Sequence, residues 1–125
     1  MAKTTLIINE KMPGFNNSIE AAKTHAKKYA ELKKRYTNLV VRELIAQKCI
    51  PRKPYKEMKV SYEFHEAANG VRDPDNALSA MKFIHDAFVT AGLIEDDDMF
   101  HIKFGSIDMD ITEKHSVEVS WTVKE

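Results

Sequence analysis

The residues best placed to do chemistry are carboxylates around a proline, in Asp73-Pro74-Asp75-Asn76. Pro74 has a restricted φ angle and favours an extended conformation at Asp73, so both carboxylates would project from a stiff segment. An Asp or Asn at the start of a helix is also an ordinary N-cap. The pattern alone leaves two interpretations open, a helix cap and a pair of cation ligands.

Polar residues on the helix predicted over 76–91 extend this group. At 100° per residue, Lys82 and Asp86 each fall within about 20° of Asp75 around the helix. They predict a polar stripe opposite the apolar face that contains Ile84 and Phe88. A solvent-exposed face with a Lys82–Asp86 ion pair, worth roughly a few tenths of a kcal/mol, is the simpler interpretation.

Four consecutive acids, Glu95-Asp96-Asp97-Asp98, follow the predicted helix stop at Gly92. Such a run is usually a solvated loop, and it would meet Asp73 and Asp75 only if the chain folds back along a helix of about 24 Å. Carboxylates brought within 5 Å repel by about 3 kcal/mol at an effective dielectric of 20, so a converged cluster needs a cation. Carboxylates with water suit Mg²⁺ or Mn²⁺.

The histidines are scattered and match no metal or nucleophile motif. We expect each to be a surface or packing residue: His25, His65, His85, His101 and His115.

Hydrophobic patterning predicts the elements that must position these residues. Aliphatic or alternating segments predict strands at 4–9, 60–65, 102–104 and 117–123. Three- and four-residue spacing predicts a long amphipathic helix from about 16–18 to 48, before the helix at 76–91. The order β-α-β-α-β-β predicts an α+β fold, with one small mixed sheet covered by helices, in a single domain over residues 1–125.

The two halves of the sequence carry opposite charges. Residues 1–59 have 14 Lys or Arg against 5 Asp or Glu, and residues 60–125 have 5 against 14, so the zero net charge divides into +9 and −9. A basic face can bind a polyanion such as DNA, although the halves could instead attract each other across a subunit interface. The polar side of the long helix is basic: Lys23, Lys27, Lys28, Lys33, Lys34 and Arg35.

Several classes of protein are disfavoured. A single cysteine, Cys49, rules out an internal disulfide framework and a cysteine-based zinc site. The longest strictly aliphatic run has only three residues, and no signal peptide is recognised at the start. We therefore expect a cytoplasmic protein with no membrane partner.

The ordered set of motifs resembles the RusA family of Holliday-junction resolvases, especially members carried by phages and prophages. The resemblance covers nearly the whole chain. It rests on Arg72-Asp73-Pro74-Asp75-Asn76, Lys82-Phe83-Ile84, Asp86-Ala87-Phe88, Ala91-Gly92-Leu93-Ile94 and Asp96-Asp97, together with Pro13-Gly14-Phe15-Asn16 before the basic helix.

This resemblance implies a homodimeric endonuclease that resolves four-way DNA junctions by symmetric paired nicks with Mg²⁺ or Mn²⁺. It implies Asp73, Asp75 and Asp97 as catalytic metal ligands. Asp96 is the alternative to Asp97, because the run of three aspartates, Asp96 to Asp98, leaves the register of the motif open. It also implies a catalytic role for Lys82. Supporting roles would fall to Asn16, Asn76 and Asp86, and DNA contacts to Arg72 and the basic helix.

Two other functions fit the same residues. A related protein could bind branched DNA without cutting it. Alternatively, an assembly factor could use its charged halves in a dimer, with its acidic residues serving only solubility.

Overall fold

A computed structural model describes residues 3–13, 26–70, 73–74 and 78–124. Its centre is one four-stranded sheet formed by β1 (Thr4–Ile8), β2 (Glu57–Ala67), β3 (Ile102–Thr112) and β4 (Ser116–Lys124). The strands lie in the order β1-β4-β2-β3. β4 is antiparallel to both of its neighbours, whereas β2 and β3 are parallel. The predicted mixed sheet is therefore confirmed.

Among the described residues, two α-helices and a short 3₁₀ turn lie between the strands. They are α1 (Ala26–Ala46), the 3₁₀ turn Ala68–Gly70 and α2 (Met81–Ala91), so the predicted order β-α-β-α-β-β and the α+β class are confirmed. The predicted start of α1 lies outside the described residues. Residue 76, the predicted start of the second helix, also lies outside the described residues; Pro74 and Leu78 are helical, and residues 79 and 80 form a turn before Met81. In the described part of the chain, neither helix has the length and apolarity to cross a bilayer.

The helices cover one face of the sheet. Alternate side chains of the central strands, including Tyr62, Phe64 and Trp121, are almost fully buried on that face. Phe88 of α2 packs edge-on against Trp121 with ring centroids 5.4 Å apart. The intervening residues, such as Glu63 and Glu118, lie on the opposite and largely polar face.

The edge strand β3 is much longer than its predicted core at 102–104. Its pairing with β2 shifts between Val60 and Tyr62, and the bulge is fixed where the Ser106 amide donates to Ser61 Oγ at 3.0 Å. A Cβ on Gly105 would lie 2.2 Å from the same oxygen, so a residue without a side chain fits there. The bulge breaks the alternation between Phe104 and Ile107, so the local pattern predicts only the first part of β3.

The residue that follows α1 by two positions leads to a prediction about stability. Lys48 follows the helix in the left-handed region, with φ 57°, where glycine is favoured. The next amide, of Cys49, donates to the Leu44 carbonyl at 2.9 Å. Lys48→Gly should raise the free energy of unfolding by about 0.5–1 kcal/mol in urea denaturation, because it removes the Cβ strain. Lys48→Ala retains the Cβ, so an equal gain from it would show that strain is not the cause.

Candidate active site

The acidic loop folds back because two apolar residues after α2 anchor it. Gly92 ends the helix with φ 86°, and its amide donates to the carbonyls of the last turn. Leu93 and Ile94 are then buried in the core. The Leu93 carbonyl accepts a hydrogen bond of 2.7 Å from the amide of Tyr55. The chain after Ile94 is thereby directed towards the start of α2.

The returning loop brings Asp97 to Lys82 in the first turn of α2. Lys82 Nζ lies 3.1 Å from Asp97 Oδ2 and 3.0 Å from Asp86 Oδ1, one turn further along the helix. The Lys82–Asp86 pair expected from helical spacing is confirmed. Its extension to Asp97, across 15 residues of sequence, forms a three-residue cluster.

The two ion pairs fix the charge states of this cluster. The hydrogen bond to Asp86, and then that to Asp97, raise the pKa of Lys82 above its ordinary value. The hydrogen bond from Lys82 lowers the pKa of Asp97 below its ordinary value. At neutral pH, Lys82 is therefore a cation and Asp97 an anion, so Lys82 is suited to electrostatic stabilisation and not to proton abstraction.

Asp86 links this cluster to α1. Its second oxygen, Oδ2, lies 3.6 Å from Lys33 Nζ, which is an ion-pair distance and too long for a hydrogen bond. Oδ2 is buried and accepts no hydrogen bond from the described residues. Asp86 therefore lies between two cations, Lys82 on α2 and Lys33 on α1.

A cleft of about 460 Å³ opens beside the cluster. One wall is acidic and contains Asp86, Asp96 and Asp97, whereas the other wall, from α1, contains Lys33 and Lys34. The cleft therefore places the carboxylates of α2 and the acidic loop opposite the lysines of α1, which lie about 50 residues earlier in the sequence.

The structure separates the three consecutive aspartates. Asp98 Oδ1 accepts hydrogen bonds from the backbone amides of Phe100 and His101 and lies 2.6 Å from His101 Nδ1, so it stabilises the loop. Asp96 Oδ1 accepts from the Asp97 amide at 2.7 Å. Only Asp97 contacts Lys82 among these three residues.

Of the other predicted site residues, some do not line the cleft and others lie outside the described residues. Asp73 is exposed, as are Lys27, Lys28 and Arg35, none of which lines the cleft. Arg35 lies over the ring of Tyr36 at 5.2 Å. Five predicted site residues lie outside the described residues: Asn16, Lys23, Arg72, Asp75 and Asn76.

The carboxylates at the cleft fit part of a magnesium site. Their oxygens are the ligands that Mg²⁺ and Mn²⁺ prefer, and the buried Asp86 Oδ2 has no hydrogen bond in the described part of the chain. No three carboxylates of this cleft offer ligand atoms within 4.8 Å of one another in that part. Of the predicted ligands, Asp97 lines the cleft, Asp73 does not, and Asp75 lies outside the described residues.

His85 lies beside the cluster and is a packing residue, as expected. Its Nε2 pairs with the hydroxyl of buried Tyr62, and its ring stacks on Phe88. Burial lowers the pKa of His85 from 6.5 to about 4. The imidazole is therefore neutral at pH 7.

This shift predicts a pH-dependent stability. Between pH 6.5 and 4 the unfolded chain binds a proton at His85 more readily than the folded chain, so the free energy of unfolding falls as the pH falls through this window. The loss is up to about 3 kcal/mol and is absent above the window. His85→Gln retains an acceptor for Tyr62 and should reduce the pH dependence of the free energy of unfolding, measured by urea denaturation at pH 4.5, 5.5 and 7. An unchanged slope would show that other groups cause it.

Sequence reasoning missed one further group of chemically capable residues. Glu63, His65 and Glu118 lie together on the open face of the sheet, and each offers a ligand atom within 4.8 Å of the others. The alternation along β2 places Glu63 and His65 on one face. The approach of Glu118 depends on the long-range register of β4, which no local pattern encodes.

No protein-family model and no curated protein matches the chain. Among solved structures, the chain is similar to one in a HypE-HypF complex, with 13% identity and a TM-score of 0.42 over 98% of this chain and 32% of that chain. The chain thus spans about a third of the length of that chain. A likeness of this degree supports no inference about activity.

Proposed function

We propose that the protein is a Mg²⁺-dependent endonuclease that acts as a homodimer and cuts four-way DNA junctions by paired nicks. The observation that carries the proposal is the contact of Asp97 with Lys82 at a cleft whose opposite wall is basic. The sequence resemblance to the RusA family supports the same reaction and the same two residues.

Phosphodiester hydrolysis requires an activated water and stabilisation of an anionic transition state. A metal ion held by Asp73, Asp75 and Asp97 would supply both. Lys82 would contribute its positive charge to the phosphate oxygens. In the structure, Lys82 Nζ donates to Asp97 Oδ2 at 3.1 Å, so the positive charge is held beside a carboxylate that would bind the metal ion.

The basic wall provides the means of holding DNA against an acidic centre. Lys33 and Lys34 line the cleft, and the exposed Lys27 and Lys28 extend the basic surface along α1. Lysines bind phosphates without reading base sequence and so position the backbone. The acidic wall would repel DNA on its own, so the basic wall is needed to bring a phosphate to Lys82.

The homodimer follows from the symmetry of the substrate. A four-way junction has two equivalent strands at which symmetric nicks resolve it. Two copies of the cleft related by a dyad would match these strands. Asn16, Asn76 and Asp86 would support the centres, and Arg72 and Lys23 would add DNA contacts.

A cleavage assay tests the proposal. An end-labelled four-way junction is incubated with the full chain in Mg²⁺, Mn²⁺ or EDTA, beside a linear duplex of the same sequence. We expect nicks only in the junction and only with metal. Equal cutting of the duplex would contradict junction selectivity, and cutting in EDTA would contradict the metal requirement.

A second candidate function is binding of branched DNA without cleavage. The observation in its favour is that Lys82 is paired with two carboxylates, those of Asp86 and Asp97. This candidate predicts salt-sensitive junction binding that Mg²⁺ does not change, with no cutting on junctions of several sequences.

In both candidates, Lys34→Ala should reduce the slope of log affinity against log salt by about 1, because the variant lacks one phosphate contact.

A further inference from the structure

We propose that Glu63, His65 and Glu118 form a binding site for a divalent transition-metal ion such as Zn²⁺. The three residues lie on the open face of the sheet, and α1, α2 and the cleft lie on the other face. The site is therefore independent of the proposed nuclease centre and of its Mg²⁺.

The strand register brings the ligands together. Glu63 on β2 is directly opposite Glu118 on β4, and His65 follows Glu63 on the same face of β2. His65 Nε2 lies 3.8 Å from Glu63 Oε2 and 3.7 Å from Glu118 Oε2. In a tetrahedral zinc site with bonds near 2.1 Å, neighbouring ligand atoms are about 3.4 Å apart. Small side-chain movements would therefore complete three bonds.

The orientation of His65 is the second observation that points to a metal. Its Nδ1 lies 2.5 Å from Asp110 Oδ1, on the adjacent strand β3. With Nδ1 donating to Asp110, Nε2 is directed at the two glutamates, and a metal ion would displace the proton from this nitrogen. A carboxylate that binds the second nitrogen of a ligating histidine is the usual outer partner in metal sites, where it fixes the tautomer and the ring.

The charge around His65 also favours a cation. Glu63 and Glu118 form a like-charged cross-strand pair, which is destabilising in a sheet. Asp108 lies opposite Glu63 on β3, and Asp110 lies opposite His65. Three carboxylates thus contact one imidazole, and Asp108 adds a fourth negative charge beside Glu63. A divalent ion would offset their repulsion.

The ligand types select the class of ion. Imidazole nitrogen suits Zn²⁺, Cu²⁺ and Ni²⁺, whereas Mg²⁺ and Ca²⁺ prefer oxygen ligands alone. Three protein ligands leave at least one position for water in a tetrahedral zinc site. Since His65 is only partly buried and Glu63 is exposed, the bound ion would remain accessible to solvent.

Isothermal titration of the full chain with ZnCl₂ tests the site. The matched control is His101→Gln, because His101 also pairs with one carboxylate, Asp98, at 2.6 Å. We expect the wild-type protein and His101→Gln to bind one Zn²⁺ with equal affinity, and His65→Gln to lose that binding. Asp110→Asn should weaken it by about 10–100-fold, because Asp110 acts as a positioning residue.

Two further variants make the outcome decisive. Glu118→Gln removes a ligand but retains the imidazole, so its loss of binding would support the site even if His65→Gln were destabilised. Asp97→Asn should retain this zinc binding, which separates the site from the nuclease centre. Unchanged Zn²⁺ binding in both His65→Gln and Glu118→Gln, or no saturable binding in the wild-type protein, would overturn the proposal.

Discussion

Asp97→Asn should lower the rate of junction cutting by at least about a hundredfold while leaving junction binding intact. The substitution preserves the size of the side chain and removes the charge that makes it a cation ligand. It also removes a negative charge from a cleft that must accept DNA, so affinity should be unchanged or slightly higher. Single-turnover cleavage in Mg²⁺ and gel-shift binding in EDTA measure the two effects separately.

The control for this prediction is Glu95→Gln. Glu95 is an exposed carboxylate of the same loop that does not line the cleft, so its loss should leave cutting unchanged. Equal losses from the two variants would show that total loop charge, and not Asp97, controls the reaction. Wild-type cutting by Asp97→Asn would remove Asp97 from the centre altogether.

Phe88→Ala should lower the free energy of unfolding by about 3–5 kcal/mol. Phe88 is completely buried between α2 and the sheet, where it packs against Trp121 and stacks with His85. Its truncation leaves a cavity at the contact that holds α2 on the sheet. Urea denaturation measures the loss, which is a large part of the stability of a domain of this size.

The neighbouring Val89 provides the control for Phe88. Val89 is 36% exposed on the outer side of the same helix turn, so Val89→Ala should cost less than about 1 kcal/mol. Similar losses from both variants would mean that burial of the side chain does not determine the effect. A loss below about 1 kcal/mol from Phe88→Ala would contradict the packing described here.

The sequence predicted the elements whose patterns are local. Alternation at Val60, Tyr62 and Phe64 identifies β2, and three- and four-residue spacing identifies both helices. The second half of β3 was not predicted, because the bulge at Gly105 shifts the alternation and its edge position leaves Ile107 and Ile111 exposed. An edge strand lacks the burial pattern on which the prediction depends.

The candidate site was only partly predictable for a related reason. Helical spacing was sufficient to pair Lys82 with Asp86. The contact of Asp97 with Lys82 depends on the burial of Leu93. It also depends on the hydrogen bond that the Leu93 carbonyl accepts from the amide of Tyr55, 38 positions earlier in the sequence. The family resemblance, and not the local pattern, implied Asp97 as a metal ligand. No pattern of charge in the acidic run distinguished Asp97 from Asp98, which caps the loop.

Paired cutting of a cruciform plasmid tests the central claim most directly. A supercoiled plasmid with an extruded inverted repeat is incubated with the full chain in Mg²⁺, and linear and nicked products are resolved over time. A homodimer with two active centres should nick both strands before relaxation and yield linear DNA as the first product. Plasmid that stays supercoiled in both Mg²⁺ and Mn²⁺, while the protein still binds it, would contradict the nuclease assignment.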